Sequence, residues 1–251
     1  MPFERVKEKV QLARGQRNGR LTEAAVGRGL ACIDRFAQRL RGIPPDHVRV
    51  VGTSALREAT NPEVFMPAAE RMLGCPVRIL GGDEEAELIF LGVSHALASG
   101  SEKWLVIDIG GGSTEFAHGT AFAPEQVRSV RLGCVGLTDQ FFGEETVTPD
   151  DYRAARLEAV RLLQGVAPAL KACANGRVLG TSGTIESVAS VLGANGFSDG
   201  SITRAGLARL ERAMLERRWV AQAGVPGLAP ERIDIFPAGW RRSARCSKYS
   251  S

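Results

Sequence analysis

Val106-Ile107-Asp108-Ile109-Gly110-Gly111-Gly112-Ser113-Thr114-Glu115-Phe116 is the stretch on which the reading of this chain turns. Leu105 to Ile107 is apolar and rich in β-branched residues, which predicts a buried strand. The strand runs into an aspartate, three consecutive glycines and two hydroxyls, and the apolar pattern resumes at Phe116 and Ala117. The expectation is strand, tight turn, strand. A plain hairpin turn needs one or two glycines. Three of them, flanked by Asp108 and by Ser113-Thr114, point instead to a turn whose backbone N–H groups close on an anion. Ser113 and Thr114 add hydroxyl donors, and Asp108 at the strand's end is the natural carboxylate to hold a divalent cation against a phosphate.

Outward from this hairpin the chain alternates strand and helix, which predicts an α/β protein. Residues 4–12 alternate apolar and charged positions and fit a strand or a helix. Thr22 and Glu23 open a helix carrying Ala25, Val26, Gly29, Leu30, Ile33, Phe36, Ala37 and Leu40 on one face, ended by Pro44-Pro45. Val48 to Val51 reads as a strand, with Gly52-Thr53-Ser54 at its carboxyl end. A helix over Pro62–Leu73 and a strand over Val77–Leu80 follow. After Gly81-Gly82, Asp83-Glu84-Glu85 begins another helix, with Asp83 placed to cap it. Ala98 to Lys103 is small and polar and reads as the linker between two domains, 1–99 and 103–239.

In the second half, Gln126–Leu132 reads as a strand, and Gly133 to Gly136 and Phe141 to Gly143 as turn and packing segments. Residues 150–172 read as one long helix with Leu157, Val160, Leu163, Val166 and Leu170 on its apolar side. Val178-Leu179 leads as a strand into a second glycine-hydroxyl turn, Gly180-Thr181-Ser182-Gly183-Thr184, and a helix from Ile185. Thr203 caps a further helix, and Pro226-Gly227-Leu228 is a turn.

Hydrolysis of a terminal phosphoanhydride needs charge neutralisation on the phosphates, a positioned water and a base to accept its proton. The sequence offers a set for each. Gly110, Gly111, Gly112, Ser113 and Thr114, with Ser182, Gly183 and Thr184, supply amides and hydroxyls for phosphate. Arg57 supplies a guanidinium suited to bidentate phosphate contact. Asp108 is the metal-side carboxylate, and Glu84 and Glu85 are the candidate bases. His47, His95 and His118 lie outside these motifs and are assigned no chemistry.

The Asp108 hairpin resembles the second phosphate-binding hairpin of the exopolyphosphatase and guanosine pentaphosphate phosphohydrolase (Ppx/GppA) family, within the sugar kinase, actin and Hsp70 superfamily. Gly52-Thr53-Ser54-Ala55-Leu56-Arg57-Glu58-Ala59, Gly82-Asp83-Glu84-Glu85-Ala86-Glu87-Leu88-Ile89 and Gly180-Thr181-Ser182-Gly183-Thr184-Ile185 carry the same resemblance, in the family's order. It implies a two-domain actin-like (ribonuclease H-like) fold and a magnesium-dependent hydrolase of inorganic polyphosphate, guanosine pentaphosphate, or both. In such an enzyme Glu85 orients the attacking water with Glu84 as alternative, Asp108 binds Mg2+ and Arg57 contacts the polyphosphate. A homodimer is implied; no nucleic-acid partner and no membrane span are expected. The family's first phosphate hairpin has no counterpart ahead of Phe3, so the amino-terminal sheet is expected to be incomplete. Residues 240–251 depart from the family as well and read as a basic, disordered tail. The alternative implied by these departures is a catalytically impaired polyphosphate- or nucleotide-binding protein.

Composition agrees with a soluble protein. The 251 residues are 44% hydrophobic and 24% charged, enough for one or two domains. No apolar run approaches the roughly 20 residues that span a bilayer. Five cysteines, an odd number without metal-ligand spacing, argue against a disulfide framework. Cys32, Cys75, Cys134 and Cys173 read as reduced core thiols in a cytoplasmic protein. The net charge of +4 suits a polyanionic substrate.

Overall fold

The structure, a computed structural model, describes residues 6–14, 16, 18–97, 102–142, 148–173, 176–216, 224–233 and 235–237. It divides into two compact units, Met1–Gly81 and Gly82–Ser251.

The first unit is built on α1 (Glu23–Arg39), whose N-cap Thr22 accepts a hydrogen bond from the Ala25 amide at 3.2 Å. Asn61, buried, accepts from Leu21 N at 2.7 Å and donates to Leu21 O at 3.2 Å, which fixes where α1 begins. Then come β1 (Val50–Gly52), the single turn α2 (Ser54–Arg57), α3 (Met66–Leu73) and β2 (Val77–Ile79). β1 and β2 pair in parallel, Val51 opposite Arg78. Leu21, Leu56, Phe65 and Ala69 form the core, with Val26, Leu30, Ile33 and Val77 against it. The helix expected over Pro62–Leu73 is two pieces, a 3-10 turn at Pro62–Val64 and then α3. Residues 6–12 form neither of the expected elements; their main chain is irregular.

The second unit opens with α4 (Gly82–Leu97) and centres on a four-stranded sheet, β3 (Trp104–Ile109), β4 (Thr114–Thr120), β5 (Ala123–Val130) and β6 (Arg177–Thr181). Its order is β5-β4-β3-β6. The hairpin strands are antiparallel, with Asp108 opposite Glu115, and β6 lies parallel to β3, with Thr181 opposite Asp108. One face buries Ala86 and Phe90 of α4 against Trp104, Val106 and Ala117. The other packs on α5 (Cys134–Phe141), α6 (Pro149–Leu163), α7 (Ala167–Ala172), α8 (Ser182–Ala194) and α9 (Arg204–Glu216).

Several expectations are corrected. α4 packs on this sheet, and the two compact units divide between Gly81 and Gly82; most of the linker expected at residues 98–103 lies outside the described residues. Cys134–Phe141 is a helix, taking in most of Gly133–Gly136 and Phe141, which were expected as turn and packing segments. The single helix expected over 150–172 breaks after Leu163, since Pro168 lies in the first turn of α7, where its missing N–H costs nothing. Leu157, expected on the core side, is 64% exposed; Tyr152, Ala155, Ala159 and Leu163 are the buried positions. Cys32, Cys75, Cys134 and Cys173 are buried free thiols. No helix among the described residues is long and apolar enough to cross a membrane. Residues 98–101 and 240–251 lie outside the described residues.

Candidate active site

The glycine hairpin is closed by the Gly110 amide donating to Ser113 O at 2.9 Å. Behind it stands the first turn of α5. Cys134 N donates to Gly110 O at 3.0 Å and Val135 N to Gly111 O at 2.9 Å, so helix-start amides that have no partner within α5 are satisfied by the hairpin's carbonyls. Gly133 permits this approach, because a Cβ there would lie 1.8 Å from Gly111 O. With those carbonyls committed, the N–H groups of Gly111 and Gly112 have no hydrogen-bond partner among the described residues and remain available to an anion.

Beside the hairpin, β6 runs into α8. Thr181 donates its hydroxyl in a short hydrogen bond to Asp108 Oδ2, and Ser182 Oγ donates to Ile109 O at 2.9 Å. These two bonds tie the second turn to the end of β3. Ser182 takes a left-handed backbone, φ 79°, which costs a serine about 1 kcal/mol and lets the chain turn from strand directly into helix. The N-terminus of α8 thus opens next to Asp108, and helix-start amides favour anions. Arg232 presses its guanidinium on this turn: a Cβ at Gly183 would fall 1.7 Å from Arg232 Nη2.

Two carboxylates face each other here. Glu115, facing Asp108 across the hairpin, is only 2% exposed. Burial pushes its carboxyl up to about 7, the negative charges of Glu85 and Asp108 push the same way, and hydrogen bonds from Ser113 and Ser129 pull against them. Glu85 lies in the first turn of α4, and its charge is among those that raise the Glu115 carboxyl. Asp83 does not serve as the expected cap: its Oδ1 accepts from Ser129 N of β5 at 3.1 Å.

The second unit thus brings together Glu85, Asp108, Gly110, Gly111, Gly112, Ser113, Ser182 and Gly183 of the residues singled out in the sequence. Two expected hydroxyl donors have structural work instead. Thr114 is buried and donates to Leu132 O at 2.7 Å, and Thr184, also buried, meets Cys134 Sγ at 3.7 Å. Arg57 belongs to the first unit, where its Nη1 donates to Leu80 O at 2.8 Å and its Nε lies 3.8 Å from Glu58 Oε1. Sequence reading missed Glu115 and Arg232. The first could have been found from hairpin register, which sets it opposite Asp108; nothing local marks the second.

Asp108 and Glu115, paired across the hairpin, offer oxygen ligands of the kind magnesium takes. No group of three or more His, Cys, Asp or Glu side chains among the described residues converges as a ready cage. Magnesium does not require one, being held by one or two carboxylates together with phosphate and water. The charges of Glu85 and Asp108 that bear on Glu115 are what a cation there would offset.

The raised Glu115 carboxyl has a stability consequence. Its folded value, about 7, lies above the ordinary 4.5, so its contribution is complete below pH 4.5 and is lost as pH rises through 7. The shift corresponds to a penalty of about 3 kcal/mol at pH 8. Glu115→Gln is expected to raise the melting temperature at pH 8 and leave it nearly unchanged at pH 4.5. Equal shifts at both values would contradict the assignment.

The profile of the Ppx/GppA phosphatase family matches residues 2–241. A curated Haemophilus influenzae protein bearing an exopolyphosphatase name is 38% identical over 236 residues, covering 94% of this chain and 73% of that protein. Among solved structures, an exopolyphosphatase from Cytophaga hutchinsonii is 26% identical with a TM-score of 0.78, covering 92% of this chain and 77% of the other. A Ppx/GppA family member from Aquifex aeolicus, 21% identical with a TM-score of 0.64 over 92% of this chain and 76% of that one, shares the fold.

Proposed function

The chain belongs to the Ppx/GppA phosphatase family, and from that membership we propose that it is a magnesium-dependent hydrolase releasing terminal phosphate from inorganic polyphosphate, and from guanosine pentaphosphate through the same type of bond. The observation that carries the reading is the pairing of Asp108 with the buried Glu115 on a glycine hairpin whose Gly111 and Gly112 amides are uncommitted, with the charge of Glu85 acting on Glu115. Asp108 and Glu115 are the residues that would hold magnesium, which would neutralise charge on the terminal phosphates. The hairpin amides and the start of α8 bind phosphate oxygens, and Arg232 adds positive charge at Gly183. Glu85 accepts the proton of the attacking water. Within the first unit, Arg57 carries a guanidinium suited to a phosphate oxygen. A cytoplasmic homodimer is part of the same reading.

The test is a magnesium titration of orthophosphate release from polyphosphate. Asp108→Asn removes one charge from the cation site, and the expected result is a half-saturating magnesium concentration raised roughly tenfold or more, with lower turnover at saturation. A titration curve superimposable on that of the unmodified protein would exclude Asp108 as a ligand, direct or through water.

A further inference from the structure

β5 is an edge strand of the second sheet, so its outward N–H groups look for partners beyond the sheet. At Ser129 the partner is a side chain: Asp83 Oδ1, in the first turn of α4, accepts from the Ser129 amide at 3.1 Å. The hydroxyl of the same residue donates to Glu115 Oε1 at 2.8 Å, across the β4–β5 pairing that sets Glu115 opposite Ser129. One serine therefore touches both the helix turn that carries Glu85 and the carboxylate that faces Asp108. We propose that Ser129 is a positioning residue of this site: pinned by Asp83, it holds the Glu115 carboxylate in a single orientation through its hydroxyl. The proposal rests on the hydrolase reading above.

The physical case is one of pre-organisation. A glutamate side chain has several rotatable bonds, and burial alone does not choose among its rotamers. Glu115 is held from two sides. Ser113 approaches it from within the turn, and Ser129 approaches it from the neighbouring strand. Ser113 belongs to the same hairpin as Glu115, whereas Ser129 lies on the next strand and is anchored independently by Asp83. The second contact is thus the one that fixes Glu115 relative to α4. Outer hydrogen bonds to a carboxylate at a cation site are commonly worth roughly 10–100-fold in activity or metal affinity. Serine also fits the place for a negative reason: alanine would leave a buried carboxylate oxygen short of a donor, and a charged side chain would compete with it.

Ser129→Ala and Ser129→Thr separate positioning from packing. The alanine variant is expected to release orthophosphate from polyphosphate with kcat lowered roughly tenfold and KM changed less than about twofold, with its melting temperature within a few degrees of the unmodified protein. Ser129→Thr keeps the hydroxyl and is expected to recover most of kcat. Unchanged kcat in the alanine variant, or a threonine variant as slow as alanine, would overturn the proposal. A second readout is independent of turnover. A crystal structure of Ser129→Ala is expected to show the Glu115 carboxylate displaced or in two orientations, and an unmoved, fully ordered Glu115 would refute the positioning role. Should the unmodified protein release no orthophosphate, the hydrolase reading fails, while this structure still decides the role of Ser129.

Discussion

Glu85→Gln is expected to lower turnover by roughly 10²–10⁴ while leaving polyphosphate binding close to that of the unmodified protein. The amide keeps the size and the place of the side chain but cannot accept the water proton. Binding survives because the Gly111 and Gly112 amides, the start of α8 and Arg232 are untouched by the change. The choice of Glu85 over Glu84 follows from its place as the second glutamate of the Glu84-Glu85-Ala86 segment, and its charge also acts on the buried Glu115 carboxyl. The check is turnover and equilibrium binding measured on Glu85→Gln and Glu84→Gln in parallel. If Glu84→Gln abolished turnover and Glu85→Gln spared it, the assignment within the pair would be wrong.

Gly133→Ala is expected to have the largest effect on the architecture. The added methyl would sit 1.8 Å from Gly111 O and 2.2 Å from Gly112 Cα, and all of these are main-chain atoms of the phosphate turn. They can yield only by separating the hairpin from α5, which breaks the bonds from Cys134 N and Val135 N. A cost of about 3 kcal/mol is expected, read as a fall of roughly 6–12 °C in melting temperature. Turnover should fall with it, since the turn no longer presents its amides in place. Gly183 offers a useful contrast. A methyl there comes as close, 1.7 Å, but meets the end of the flexible Arg232 side chain, which can swing away. A Gly133→Ala variant with normal melting and turnover would show that α5 does not brace the hairpin.

Much of this was legible in the residues, for reasons that differ by element. The Asp108 hairpin could be read because its signals are local: a β-branched run, a glycine turn, then a resumed apolar pattern, and β3 and β4 follow it. The start of α1 could be read because Thr22 is a side-chain cap, and the cap bond is present. By contrast, α5 has glycine at its N-cap position and another at Gly136, and its first amides are satisfied by the hairpin rather than by a local side chain. No capping residue announced it. The periodicity of Val160, Leu163, Val166 and Leu170 runs straight through the break between α6 and α7, so spacing alone joined two helices into one.

The site shows the same division. Asp108 and Glu85 were recognisable from motif and position, yet the character of Glu115 arises from burial and from charges brought in by α4 and β3. Asp83 looked like a cap because of where it stands in α4, and its actual partner is an edge-strand amide in β5, 46 residues away in sequence. Arg232 reaches Gly183 from beyond α9, through packing that no short window of sequence encodes. Local chemistry was readable; partners supplied by distant segments were not.

The most direct test of the central claim is a time course of ³¹P spectra on long-chain polyphosphate with the full chain and magnesium, run beside Glu85→Gln. The account predicts growth of the orthophosphate signal with the end-group signal constant, because removing a terminal phosphate leaves a new terminus each time, and growth slowed by roughly 10²–10⁴ in the variant. A rising end-group signal without orthophosphate would mean internal cleavage, and equal rates in the two proteins would mean that the carboxylate site on the glycine hairpin is not where the chemistry happens.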